Sequence, residues 1–232
     1  MKHNNKITIP NILTILRLVM VIPFLIFMFL AYIYIKKDYL NISYDYSVKG
    51  RIFLAISLSI FMLAMITDFF DGYLARKYHQ VTEFGKLWDP LADKIMITSS
   101  MIVLSIFGVI PVWIILTFIL RDLIIDGARV VMAKNNISVA AKWTGKAKTM
   151  MQSIGIIILF IIFIFFDISN QEFLINHIPS TLKNKIDNKL IIILFIHLIN
   201  LPMIIAAILN IVSGIEYFNS IKPYIKLKPD NE

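Results

Sequence analysis

Long stretches without a single charge constrain this chain more than any other feature. Residues 18–35 form an uncharged run of 18, 52–67 one of 16, 95–120 one of 26, 149–166 one of 18 and 190–215 one of 26. A membrane-crossing helix needs roughly 20 mainly apolar residues, because hydrocarbon offers nothing to an unpaired backbone amide. Apolar residues make up 58% of the chain and charged residues 16%, whereas an average soluble domain carries about 25% charged residues. The mean hydropathy is +0.77. With no cysteine, this composition excludes a disordered chain, a collagen-like fibre, a disulfide-stapled domain and a cysteine-ligated zinc or iron–sulfur protein.

The fold class is all-α: a polytopic membrane protein of six transmembrane helices forming one domain over 1–232. The run from Ile95 splits at Gly108 and Pro111, a turn signal followed by a residue that cannot donate a helical hydrogen bond. The expected spans are about 12–35, 51–77, 89–109, 112–134, 147–167 and 189–216. Six spans put both termini on one side, and basic residues mark the cytoplasmic side. Of the 23 Lys and Arg, only Lys36, Lys37, Lys49, Arg51, Lys183, Lys185 and Lys189 fall in outer loops if the termini are inside. Arg121 lies mid-span and the other fifteen lie on the inner side, so both termini are expected to be cytoplasmic. Lys2 and Lys6 precede the first run as in a signal peptide. No small-residue cleavage site follows Ile35, where Lys36, Lys37, Asp38 and Tyr39 come next, so a retained span is expected. Residues 7–17 have a second reading, an amphipathic segment lying on the inner surface.

Six acids sit where water should be scarce: Asp68, Asp71, Asp89, Asp93, Asp122 and Asp126. A carboxylate inside a span costs a few kcal/mol or more and marks a functional site by default. Buried ion pairs with Arg76, Arg121 and Arg129 are the bland alternative, and for Asp122, Asp126 and Arg129 the two readings weigh evenly. The other four are different. Asp68 and Asp71 are three apart, Asp89 and Asp93 four apart, so each pair shares a helix face. A short segment, 77–86, joins the two helices as an antiparallel hairpin and brings the pairs to its cytoplasmic end. Four carboxylates together stay ionised only with cations among them. Oxygen donors without cysteine suit Mg²⁺ or Mn²⁺, and two such ions clamp the entering and leaving oxygens of a phosphoryl displacement. Gly72 and Ala75 leave room beside the acids, although close helix packing explains small residues equally well. Arg76 offers a planar fork to a phosphate.

These residues read Asp68-x-x-Asp71-Gly72-x-x-Ala75-Arg76, then eight residues, then Gly85-x-x-x-Asp89-x-x-x-Asp93. The pattern resembles the signature of the CDP-alcohol phosphatidyltransferase family at all eight fixed positions, and the six-helix architecture is similar too. Looser stretches are similar to the branch of the family that uses sn-glycerol 3-phosphate: Ile9-Pro10-Asn11-Ile12-Leu13-Thr14-x-x-Arg17, Arg121-Asp122, Lys142-x-x-Gly145-Lys146-x-Lys148-Thr149 and Ser213-Gly214-x-Glu216-Tyr217. The resemblance implies transfer of a phosphatidyl group from CDP-diacylglycerol to sn-glycerol 3-phosphate, releasing CMP and forming phosphatidylglycerophosphate. It implies two divalent cations, Mg²⁺ or Mn²⁺, on Asp68, Asp71, Asp89 and Asp93. Asp93 also becomes the general base, and Gly72, Ala75, Arg76 and Gly85 shape or contact the CDP site. A homodimer in the cell membrane is expected by resemblance alone.

A second anionic substrate needs a basic pocket. Equal rise along two antiparallel helices puts Arg129 near the depth of Asp93 and Arg121 about 12 Å deeper. Arg129, Lys142 and Lys146 are therefore the candidates for the acceptor phosphate. Arg17 ranks behind them, because an arginine there also serves as an interfacial anchor. Inositol phosphate, phosphatidylglycerol and amino alcohols are the alternative acceptors. Prenyltransferases place their Asp clusters on well-separated halves of a larger bundle, whereas here all four acids fall between Asp68 and Asp93. A cation transporter leaves Gly72, Ala75, Arg76 and Gly85 unexplained. The net charge of +8 suits anionic lipid heads better than nucleic acid. The four histidines show no ligand spacing, and segments 36–50 and 167–188 carry no usable motif.

Overall fold

A helix whose buried side chains recur at alternating steps of three and four residues can share one continuous seam with a neighbour. In the computed structural model, which describes residues 9–40, 48–78, 83–134, 143–166 and 187–224, that pattern organises the chain. The described residues form seven helices and no strand: α1 (Ile9–Leu40), α2 (Val48–Lys77), α3 (Glu83–Ile106), α4 (Val112–Lys134), α5 (Trp143–Phe165), α6 (Asn188–Ile199) and α7 (Leu201–Ile221), closed by a 3-10 turn at Lys222–Tyr224. The all-α expectation therefore holds. By length and composition four stretches suffice to cross a membrane: Asn11–Ile35, Val48–Leu74, Trp143–Phe165 and Leu201–Ile221. Large apolar side chains face outward along them, including Ile22, Ile26 and Phe29 of α1, Met62, Leu63 and Ile66 of α2, and Ile208, Ile211 and Ile215 of α7. Apolar surface of this extent belongs against lipid tails.

The helices form two compact units. The first holds α1, α2, α3 and the end of α5 from Phe160; the second holds α4, the rest of α5, α6 and α7. In the first unit the buried seam of α1 runs Thr14, Arg17, Val21, Phe24, Met28, Ala31, Ile35, and that of α2 runs Gly50, Leu54, Ser57, Phe61, Ala64, Asp71. On α3 the buried positions include Gly85, Ala92, Met96, Ser100 and Leu104. Phe160 of α5 meets Phe24 edge-on at 6.3 Å and lies 6.4 Å from Phe61, closing the apolar stretch of these seams.

Register between α1 and α2 is set at their far end. A Cβ on Gly50 would stand 2.7 Å from Cγ1 of Ile35, closer than real atoms approach. Glycine there lets α2 start against the end of α1. Arg17 precedes Ile35 by as many positions as Asp68 follows Gly50. Two antiparallel helices with equal rise must bring those residues to the same level, about 27 Å along. Residues 9–17 simply continue α1, so the separate surface segment considered above is not seen.

In the second unit α4 covers the expected 112–134 but is not among the four stretches apolar enough to cross, and one expected span is broken. The predicted 189–216 span is two helices, α6 and α7. Pro202 has no N–H to return to the carbonyl of Leu198, and the backbone N–H of Asn200 turns instead to the carbonyls of Ile196 and Leu198. The Asn200 side chain donates to the carbonyls of Ile196 and Val109, each at 2.8 Å, tying the break to the turn before α4. That turn matches expectation: α3 ends at Ile106, Gly108 takes a φ of 79° that other residues rarely adopt, and α4 begins after Pro111. We expect Gly50→Ala to destabilise the protein by about 1–3 kcal/mol through overpacking. Ile35→Ala in that background should recover part of the loss, and thermal unfolding in detergent of the two single variants and the pair reads the coupling.

Candidate active site

The seams of the first unit change character at one end. Apolar layers give way to Thr14 and Arg17 on α1, Asp68 and Asp71 on α2, and Asp89 and Asp93 on α3, still at seam spacing. Side chains that pack a core elsewhere thus converge here as charges. The Arg17 side chain is fully buried at their centre. Its Nη1 lies 2.7 Å from Oδ1 of Asp68 and 2.7 Å from Oδ1 of Asp93, and its Nη2 donates to Oδ2 of Asp71. The Thr14 hydroxyl donates to Oδ1 of Asp89 at 2.5 Å. Exposure is graded across the cluster: the side chain of Asp71 is 4% exposed, Asp93 29% and Asp68 40%. The cluster is closed toward the helices and open at Asp68.

Sequence alone brings the four acids together but places Arg17 elsewhere, as an acceptor-binding residue or an interfacial anchor. A side chain with no exposed surface is not an interfacial anchor. Thr14 falls within a motif that gives it no role, although its three-residue spacing from Arg17 puts both on one face of α1. The partners of both residues lie on other helices, far along the chain, so only the register between helices reveals these contacts.

The donor set suits hard divalent cations. Every donor is a carboxylate oxygen, and four acids against one arginine leave three formal negative charges among these five side chains. Among the described residues no group of three or more acids or histidines already forms a metal cage. Asp68, Asp71 and Asp93 point at the Arg17 fork instead, and Asp89 accepts from Thr14. Gly85 is buried on the α3 seam and Gly72 half-buried beside Asp71. Lys142 lies outside the described residues, as do the side chains of Ala75 and Arg76. Arg129 and Lys146 are exposed in the second unit, and the Arg129 guanidinium stands 5.6 Å from the centre of the Tyr217 ring.

Three of the looser motifs meet in the second unit. Nη1 of Arg121 reaches Oδ1 of Asp122 at 2.9 Å, and Nζ of Lys148 reaches the same oxygen at 2.6 Å. Nη2 of Arg121 donates to the Ser213 hydroxyl at 2.8 Å, and the Thr144 hydroxyl donates to Oε2 of Glu216 at 2.7 Å. Gly214 eases the approach of Arg121, and Gly145 faces Ser213 at ordinary contact distance. A Cβ on Gly214 would stand 3.2 Å from Cγ of Arg121, and one on Gly145 would stand 3.4 Å from Oγ of Ser213. Asp122 is therefore an ion-paired acid, as the bland reading of that residue has it, with Lys148 and Arg121 as partners.

Comparison with known proteins shows the family. The family model described as CDP-alcohol phosphatidyltransferase matches residues 7–213. A CDP-diacylglycerol–glycerol-3-phosphate 3-phosphatidyltransferase of Mycoplasma pneumoniae is 32% identical over 220 residues, covering 95% of this chain and 90% of that protein. One of the same description from Rickettsia bellii is 34% identical over 220 residues, covering 93% of this chain and 96% of that protein. A third, from Mycoplasma genitalium, is 39% identical over 158 residues, which is 66% of this chain, and the chain spans 64% of its length. The match takes in the α1 residues, both Asp pairs and the second unit as far as Ser213, and the chain belongs to the CDP-alcohol phosphatidyltransferase family.

Proposed function

We propose that this protein transfers the phosphatidyl group of CDP-diacylglycerol to sn-glycerol 3-phosphate, forming phosphatidylglycerophosphate and CMP. The observation that carries this reading is the convergence of Asp68, Asp71, Asp89 and Asp93 at the polar end of an apolar helix seam, in a chain matched by the family over 7–213. The relatives' descriptions support glycerol 3-phosphate as the acceptor. The protein is a membrane enzyme of six crossings, α1 to α5 and α7 with α6 leading into it. Both termini and the site face the cytoplasm, and the enzyme acts as a homodimer in the cell membrane.

In this reading Asp68, Asp71, Asp89 and Asp93 hold two divalent cations, Mg²⁺ or Mn²⁺. Bound there, the ions supply positive charge against the diphosphate and the leaving CMP. Asp93 takes the proton of the attacking hydroxyl as the new oxygen–phosphorus bond forms and the bond to CMP breaks. Gly72, Ala75, Arg76 and Gly85 line the CDP site. Arg129, Lys142 and Lys146 bind the acceptor phosphate, with Arg17 ranked behind them for that role. The site lies among lipid-facing helices because its donor substrate arrives through the bilayer.

The test is a transfer assay on the purified protein with CDP-diacylglycerol and a panel of alcohols. Turnover should require glycerol 3-phosphate; release of CMP only with inositol phosphate, phosphatidylglycerol or an amino alcohol would overturn the acceptor. In the same assay Asp68→Asn, Asp71→Asn, Asp89→Asn or excess chelator should abolish turnover, and Asp93→Asn should lower kcat by about 10²–10⁴-fold. Full activity in chelator removes the metal reading. Arg129→Ala, Lys142→Ala and Lys146→Ala should each raise the KM for glycerol 3-phosphate by roughly tenfold or more, the loss of one charge-assisted phosphate contact. The KM for CDP-diacylglycerol should move less. A normal acceptor KM in all three variants puts the pocket elsewhere.

A further inference from the structure

We infer that Arg17 is a displaceable counter-cation, exchanged for divalent cations when the site fills and then free to bind a substrate phosphate. This rests on the reading that the Asp cluster holds such cations. Nη1 of Arg17 lies 2.7 Å from one oxygen each of Asp68 and Asp93, and Nη2 holds Asp71. These are oxygens that the cations require. A guanidinium centred among them repels a second cation in the same space, so the two compete.

Charge favours the exchange. One arginine leaves three of the four carboxylate charges unmatched, whereas two divalent cations match all four. Packing allows it as well. From Val21 to Ile35, α1 is held by its own apolar seam, so the Arg17 side chain can leave the carboxylates without loosening the helix. The remaining donor points to the new partner. Nε of Arg17 is buried and has no hydrogen-bond acceptor among the described residues. A guanidinium presenting Nε and Nη2 side by side fits two oxygens of one phosphate. While Arg17 faces the carboxylates, Nη2 is taken by Asp71 and this bidentate edge is incomplete. Metal binding releases it, so cations and a phosphate should bind cooperatively.

The experiment uses the full chain in lipid nanodiscs, with binding of Mn²⁺ alone read from the electron paramagnetic resonance of the free ion. Arg17→Gln should bind Mn²⁺ at least about tenfold more tightly than the native protein, since one competing charge-assisted contact is worth that much. With Mn²⁺ saturating, Arg17→Gln should bind CDP or glycerol 3-phosphate more weakly than the native protein. Titrating the two separately identifies which phosphate Arg17 takes. Arg17→Lys keeps the charge without the fork and should fall between the two in Mn²⁺ affinity, which carries the test if the glutamine variant fails to fold without metal. Mn²⁺ affinity that is unchanged or weakened in both variants overturns the exchange while leaving the metal site standing. Tighter Mn²⁺ with no loss of either anion overturns the phosphate role. No Mn²⁺ bound by native protein or variants removes the metal reading and this inference together.

Discussion

Everything at this site depends on one electrostatic constraint: Arg17 and Asp71 are buried together away from water, with further carboxylates around them. Taking a charge out of water costs several kcal/mol unless a partner and hydrogen bonds replace the solvent. Arg17, fully buried, is tolerable only because Asp68, Asp71 and Asp93 surround it. Asp71 is tolerable at 4% exposure only because Arg17 faces it. The helices that carry these groups must therefore arrive in one register. A shift of one residue along α2 rotates Asp68 and Asp71 by about 100° off the shared face, leaving an unpaired charge inside an apolar bundle.

That constraint makes fold and site one pattern. Val21, Phe24, Met28, Ala31 and Ile35 on α1 and Leu54, Phe61 and Ala64 on α2 form the apolar length of a seam whose next turns are Arg17 and Asp71. Among the described residues the site is carried by the helices themselves; the same positions change from apolar to charged. Gly50 stands at the opposite end, where contact with Ile35 sets how far α2 slides along α1. A small residue at the far end of the seam thus helps decide which oxygens Arg17 meets. The second unit uses the same device, with Asn210, Ser213 and Tyr217 on the buried seam of α7 and Arg121 reaching Ser213 across it.

Much of this is legible in the sequence where spacing alone carries the information. Asp68 and Asp71, and Asp89 and Asp93, announce two helix faces, and a short connection brings them together. Gly108 and Pro111 mark a turn that the structure has. The destination of Arg17 is not legible in the same way, because it depends on a long-range register that neither end of the contact encodes locally. The break at Asn200 has a local sign in Pro202, but the long uncharged run over 190–215 outweighs one proline. Lys146 and Lys148 sit in one motif and look alike in sequence. Only the fold shows that Lys148 turns inward to Asp122 while Lys146 stays exposed.

The central claim is that the charged end of the α1, α2 and α3 seams holds the cations of a phosphatidyl transfer. Crystals of the full protein grown with Mn²⁺ test it most directly, by anomalous scattering at the manganese edge. Two peaks are expected between α2 and α3, contacting Asp68, Asp71, Asp89 and Asp93, both absent from Asp89→Asn crystals or reduced to one. Peaks confined to other acids, or none at this cluster while the protein is active, would contradict it.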